Sequence, residues 1–153
     1  MENKRKIVTL PNGLRIVFEK NRNSKMCAAE IWVASGVSYE TPETAGTSHF
    51  IEHMQFKGTT TRNAFEISDA FDRLGAQVNA YTSKDVTCYY SKCTMDHTSA
   101  CFELLSDLFL NSTYPEDEMQ RERCYSMKQI KSLLDKFGFE IIHVYGDFDK
   151  SPV

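Results

Sequence analysis

The chain reads as an α+β domain, a mainly antiparallel sheet with helices packed against it. Two β-hairpin signals, at residues 7–18 and 77–94, and helical periods collected around them predict this architecture. Ile7-Val8-Thr9-Leu10 and Leu14-Arg15-Ile16-Val17-Phe18 flank Pro11-Asn12-Gly13, where Asn-Gly supplies the positive φ of a hairpin turn. Cys27 to Ala34 reads as a third strand ending at Gly36. A loop containing Pro42 and Gly46 leads into a helix at about 48–56. The hydroxyls of Gly46-Thr47-Ser48 suit its N-cap, and Lys57-Gly58 suits its stop. Phe50, Ile51, Met54 and Phe56 are expected to bury it. A second helix over about 63–74 carries Phe65, Ile67, Ala70, Phe71 and Leu74, and stops at Gly75. Strands at 77–83 and 86–94 follow, then an amphipathic helix over 98–110 with Cys101, Leu104, Leu105, Leu108 and Phe109 inward. Pro115 opens a last helix, expected to reach about Leu134, whose first turn gains from Glu116, Asp117 and Glu118 through the macrodipole.

At 153 residues this is one domain by the usual scale, long enough to bury a core. The net charge of −3 and scattered basic residues speak against nucleic acid or an anionic membrane as partner. No apolar run approaches the ~18 residues of a membrane span, and the polar start lacks the apolar core of a signal peptide. A cytoplasmic location is the default expectation. Five cysteines, Cys27, Cys88, Cys93, Cys101 and Cys124, form neither an even disulfide framework nor a CxxC pair. They read as small hydrophobes in a reducing compartment.

Within the 48–56 helix stands His49-Phe50-Ile51-Glu52-His53. The two imidazoles are i and i+4, so both project from one helix face and can share a zinc ion. Glu52 precedes the second of them, where a carboxylate can act as a base. This is the H-x-x-E-H pattern of inverted zincins. A solvated helix turn that holds two histidines would read the same way over five residues.

More of the chain then becomes informative together. Leu10-Pro11-Asn12-Gly13-Leu14, the run from Gly46 to Thr59, Leu74-Gly75-Ala76-Gln77-Val78-Asn79-Ala80-Tyr81-Thr82-Ser83, and Tyr114-Pro115-Glu116-Asp117-Glu118 with Arg121-Glu122-Arg123 occur in that order. Over about residues 7–131 the chain thereby resembles the insulinase/pitrilysin-type inverted zincins, which include the mitochondrial processing peptidases and their bacterial relatives. The resemblance implies an incomplete version of that domain at 1–132, followed by a divergent tail at 133–153. It implies zinc on His49 and His53, with Glu52 as the general base that activates water for attack on a peptide carbonyl. It implies that Asn79, Ala80 and Tyr81 lie on an edge strand to which an extended peptide adds; read alone, they are a plain strand. Glu122 matches an acidic residue that supports the ligands from the late helix.

Two departures qualify the resemblance. The family's third ligand is a glutamate, and the matching position here is Gln129, a neutral amide expected to hold zinc weakly. After about Ser132 the likeness ends, and Phe137, Phe139, Ile141, Ile142, Val144, Tyr145 and Phe148 form an aromatic tail. That tail reads either as a replacement strand or as a truncated or shifted reading frame. Two functions follow: a zinc metalloendopeptidase domain acting on extended or unfolded peptides but impaired in this chain alone, or a non-catalytic pseudopeptidase that binds peptides or assembles with a partner. In either case a homodimer or a complementary second half-chain is expected.

Overall fold

The computed structural model describes residues 5–121. The end of the expected last helix, Cys124, Glu122, Gln129, the domain boundary at 132 and the aromatic tail lie outside the described residues. Five strands run β1 (Arg5–Thr9), β2 (Arg15–Glu19), β3 (Met26–Val33), β4 (Gln77–Thr82) and β5 (Thr87–Thr94). Four helices run α1 (Thr47–Gln55), α2 (Ala64–Arg73), α3 (Thr98–Leu110) and α4 (Glu116–Arg121), with short 3-10 turns at 37–39, 42–44 and 95–97. Every pairing is antiparallel: β1 with β2 in one sheet, and β3-β5-β4 in the other. The α+β reading therefore holds.

The hairpin turn differs in detail from its expectation. Only Gly13 takes a positive φ, of 87°, while Leu10 N bonds Leu14 O and Gly13 N bonds Leu10 O. Left-handed geometry is thus needed at one residue, the pattern of a longer hairpin loop. The hairpin's ten strand residues are all exposed, Ile7, Val17 and Phe18 among them.

Alternation along β3, β5 and β4 sorts the second sheet into two faces. Ile31, Tyr89 and Ala80 lie in one cross-strand row of the inner face, and Val33, Ala29 and Val78 also face inward. Against them pack Ile67 and Phe71 of α2 and Leu105 and Leu108 of α3, which together form the core. The outer face carries Trp32, Cys88 and Tyr81 in one row and Glu30, Tyr90 and Asn79 in the next. Trp32 and Tyr81 meet edge to face at 6.2 Å across the buried Cys88. Cys88, Cys93 and Cys101 are buried free thiols, as expected, whereas Cys27 is only half-buried.

One burial expectation fails: Ile51 is exposed, and on α2 Phe65 also stands clear of the core, 77% exposed. On α1, Met54, Glu52 and Gln55 take the inward positions, which turns Ile51 outward. On α2, Asn63 and Glu66 form a reciprocal capping box, Glu66 N to Asn63 Oδ1 at 2.9 Å and Asn63 N to Glu66 Oε2 at 2.8 Å. That box fixes the helix start so that Ile67 and Phe71, four apart, face the core and Phe65 does not.

The loop after β3 docks on the β4–β5 hairpin, Val37 N to Ser83 O at 3.2 Å and Ser38 N to Lys84 O at 2.8 Å. Glycine is required at 36 for space, because a Cβ there would stand 2.5 Å from Ser83 O and 2.7 Å from Lys84 O. Those obstacles are backbone and cannot swing away. Gly36→Ala is expected to cost about 2 kcal/mol, within the usual span for overpacking, read as a lowered urea midpoint at unchanged slope.

Candidate metal centre

The helix that carries His49 and His53 is started by a side chain from outside it. Gly46 is its N-cap, at φ 87°, and no hydroxyl caps it, contrary to the expectation from Thr47 and Ser48. The cap comes instead from Glu40, whose Oε2 accepts from Gly46 N and Oε1 from Ser48 N, both at 2.7 Å. A carboxylate at this end also suits the macrodipole. The 3-10 turn at 42–44, closed by a capping box between Thr41 and Thr44, lets the chain double back from Glu40 to the helix. The bonds from the Ser48 and Gly46 amides hold the Glu40 carboxyl below its ordinary value of 4.5.

On this helix the two histidines stand exposed, their Nε2 atoms 2.9 Å apart and ring centroids 4.5 Å apart. Two nitrogens sharing one tetrahedral zinc would stand about 3.3 Å apart, so a small rotation of the rings admits the ion. The pair therefore fits a metal. Among the described residues no group of three histidine, cysteine, aspartate or glutamate side chains could hold one, and the position expected to supply the third ligand, Gln129, lies outside them with Glu122.

Glu52, three residues after His49 and one before His53, is held from the sheet side. It is 8% exposed and accepts through Oε2 from Thr82 Oγ1 of β4 at 2.5 Å. Thr82 Oγ1 stands 3.3 Å from Thr87 Oγ1, which donates to Ser35 O at 2.9 Å. A line of hydroxyls thus holds the carboxylate from the sheet side. Beneath it, burial pushes the Tyr89 phenol up to about 12, with the charges of Tyr114 and Glu52 adding to the rise, so this ring stays neutral. Thr82 and Glu40 were both missed in the sequence. Period two places Thr82 on the same face as Ala80, which is a readable signal; Glu40 reaches its helix through loop geometry and leaves none.

β4 is an edge of its sheet, as the peptide-docking expectation requires. Ser83 N bonds Val86 O and closes the hairpin, so by antiparallel alternation the pairs Thr82/Thr87 and Ala80/Tyr89 exchange no ladder bonds. The backbone groups of Ala80 and Thr82 consequently face the open edge. Of Asn79, Ala80 and Tyr81, then, only Ala80 offers its main chain there. Its N–H is already occupied by Asn79 Oδ1 at 2.8 Å. The Tyr81 ring lies on the outer face with Trp32 and Tyr90, away from Glu52.

An antiparallel sheet edge beside a helix with two converging imidazoles and a buried carboxylate makes an α+β unit with a candidate metal-binding pair. The profile of the insulinase family, peptidase family M16, matches residues 15–143. The chain belongs to that family. It is 46% identical over 127 residues to an uncharacterized zinc protease, YmxG, of Bacillus subtilis, covering 83% of this chain and 31% of that protein. It is 36% identical over 140 residues to the beta subunit of the mitochondrial-processing peptidase of Rattus norvegicus, covering 90% and 28%. The crystal structure of a protease from Helicobacter pylori superposes with a TM-score of 0.74 at 27% identity, covering 88% of this chain and 32% of that one. The chain spans about a third of the length of these relatives.

The depressed pKa of Glu40 carries a pH signature. Its cap is fully stabilising above the ordinary glutamate value and is lost as pH falls through the lower folded value. Glu40→Gln is therefore expected to lower the denaturation midpoint at pH 7, with the gap to the unaltered chain narrowing as pH falls below the ordinary glutamate value.

Proposed function

We propose that this chain carries part of the active site of a zinc metalloendopeptidase that cleaves extended or unfolded peptides. The observation that supports this most directly is the convergence of His49 and His53 Nε2 beside a buried Glu52 that is tied to an edge strand. His49 and His53 would hold zinc, which when bound supplies Lewis acidity and brings the pKa of water to about 7. Glu52 Oε2 is engaged by Thr82, leaving Oε1 to accept the proton of the attacking water. A peptide laid along β4 would pair with the main chain of Ala80 and Thr82, adjacent to that carboxylate. The third ligand position is Gln129, with Glu122 as its support, and an amide there gives weak zinc binding and an impaired isolated chain.

A homodimer or a complementary half-chain belongs to the same proposal. It is supported by the exposed apolar hairpin, by edges at β3 and β4, and by a relative that is itself a named subunit. The buried free thiols of Cys88, Cys93 and Cys101 support a reducing, cytoplasmic setting. Gln129 also favours the second reading, a non-catalytic peptide-binding or assembly subunit.

Metal titration separates weak from tight binding. Zinc is expected to leave the unaltered chain with a mild chelator, and Gln129→Glu to tighten binding by an amount on the order of 10–100-fold, the range even outer partners command. One tightly held zinc in the unaltered chain would refute the impaired-site reading.

Catalysis separates the two functions. On a quenched peptide library with added zinc, the unaltered chain should show at most a trace of cleavage, Gln129→Glu should gain activity, and Gln129→Glu with Glu52→Gln should lose it. A zinc-loaded but inert Gln129→Glu protein that still binds extended peptides would instead establish the binding subunit.

A further inference from the structure

The hairpin of β1 and β2 carries a surface that the rest of the described chain leaves uncovered. Apolar side chains stand on both of its faces: Ile7 and Val17 on one, 67% and 66% exposed, and Val8, Ile16 and Phe18 on the other. Strands that are apolar on both faces have the pattern of inner strands. These two nevertheless form a sheet of their own with two open edges.

The turn fixes which backbone groups those edges offer. Leu10 N bonds Leu14 O, so by antiparallel alternation Val8/Ile16 and Lys6/Phe18 exchange the ladder bonds. Arg15, Val17 and Glu19 therefore turn their N–H and C=O groups to the open side of β2. A second copy laid antiparallel on that edge, about a two-fold axis at Val17, sets Val17 opposite the partner's Val17 and Arg15 opposite the partner's Glu19. These are the positions whose main-chain groups are turned outward, so each facing pair exchanges two hydrogen bonds. The apolar row of Ile7 and Val17 runs on through the partner's Val17 and the partner's Ile7, and on the other face Ile16 meets the partner's Phe18.

Charge separates this edge from the others. Glu19 takes Arg5 Nε at 2.5 Å across the hairpin and would gain a second guanidinium on its other side. Arg15 lies across from the neutral Thr9 and would gain a carboxylate. Among the described edge strands only β2 has opposite charges at its two ends: β1 carries cations alone, β3 carries Glu30 alone, and β4 carries no charge.

We propose that the open edge of β2 is a self-association surface, through which two copies of this chain join into one four-stranded antiparallel sheet. The proposal rests on the homodimer reading above and gives it an interface in which the same patch serves both copies.

The test is sedimentation of the full chain over a range of concentrations, with circular dichroism as the check on folding. Arg15→Glu and Glu19→Lys each set like charges opposite one another twice per dimer, so each variant alone should dimerise about tenfold more weakly than the unaltered chain. Mixed one to one, the two variants set opposite charges across both pairs, and dimerisation should return. Glu30→Lys, on the β3 edge, should leave it unchanged. Val17→Cys alters no charge and decides the matter if either charge variant does not fold. Facing Cα atoms of such a pair stand about 5.5 Å apart, so a short bis-maleimide should link two copies there beyond any linking in the unaltered chain. Dimerisation that ignores Arg15 and Glu19 yet falls with Glu30→Lys defeats this edge and leaves the homodimer standing, whereas a chain monomeric throughout removes both. Loss in both charge variants without recovery on mixing, or no added linking through position 17, also overturns the proposal.

Discussion

The bond from Thr82 to Glu52 is the constraint on which the site depends, because it is where helix and sheet are made to agree. Without it α1 would pack through Met54 and its neighbours, which set distance but not rotation about the helix axis. A carboxylate held from the sheet fixes that rotation. Glu52 is buried while His49 and His53, three residues before it and one after, are exposed. The cost of burying a charge is offset here by a short, charge-assisted bond.

Most of the architecture was legible in the sequence because it rests on local periods. The hairpin at Asn12-Gly13, the alternation of β4 and β5 and the amphipathic run of α3 each fall within a residue or two of expectation. Local signals failed where a contact skips along the chain. Ser48 looked like a cap, yet Glu40 fills that role from eight residues upstream. Ile51 looked like core, yet inward polar groups on α1 rotate it out, and the capping box on α2 turns Phe65 away from the core. Three of the four donors to Asp107 lie 45 to 48 positions away in the chain, so no local period marks it.

The candidate site divides along the same line. His49, Glu52 and His53 could be found because helical spacing relates them, and the edge at β4 because period two does. Their orientation could not be found, because it is set by Thr82 and the hydroxyls behind it. Resemblance to a family supplied the order of segments, and the geometry then separated their parts: Ala80 opens its main chain to the edge, while the Tyr81 ring belongs to the far face.

Asn79 gives the edge strand a property that neither face has. Its Oδ1 sits on the Ala80 amide, so one of the groups that face the open edge is already satisfied. An unsatisfied amide in that position would invite indiscriminate pairing between copies of the chain. With the side chain in place, any newcomer exchanges one acceptor for another, and the hydrogen bond contributes almost nothing to the net affinity. At this one position the edge is less open to accidental pairing than a bare amide would leave it.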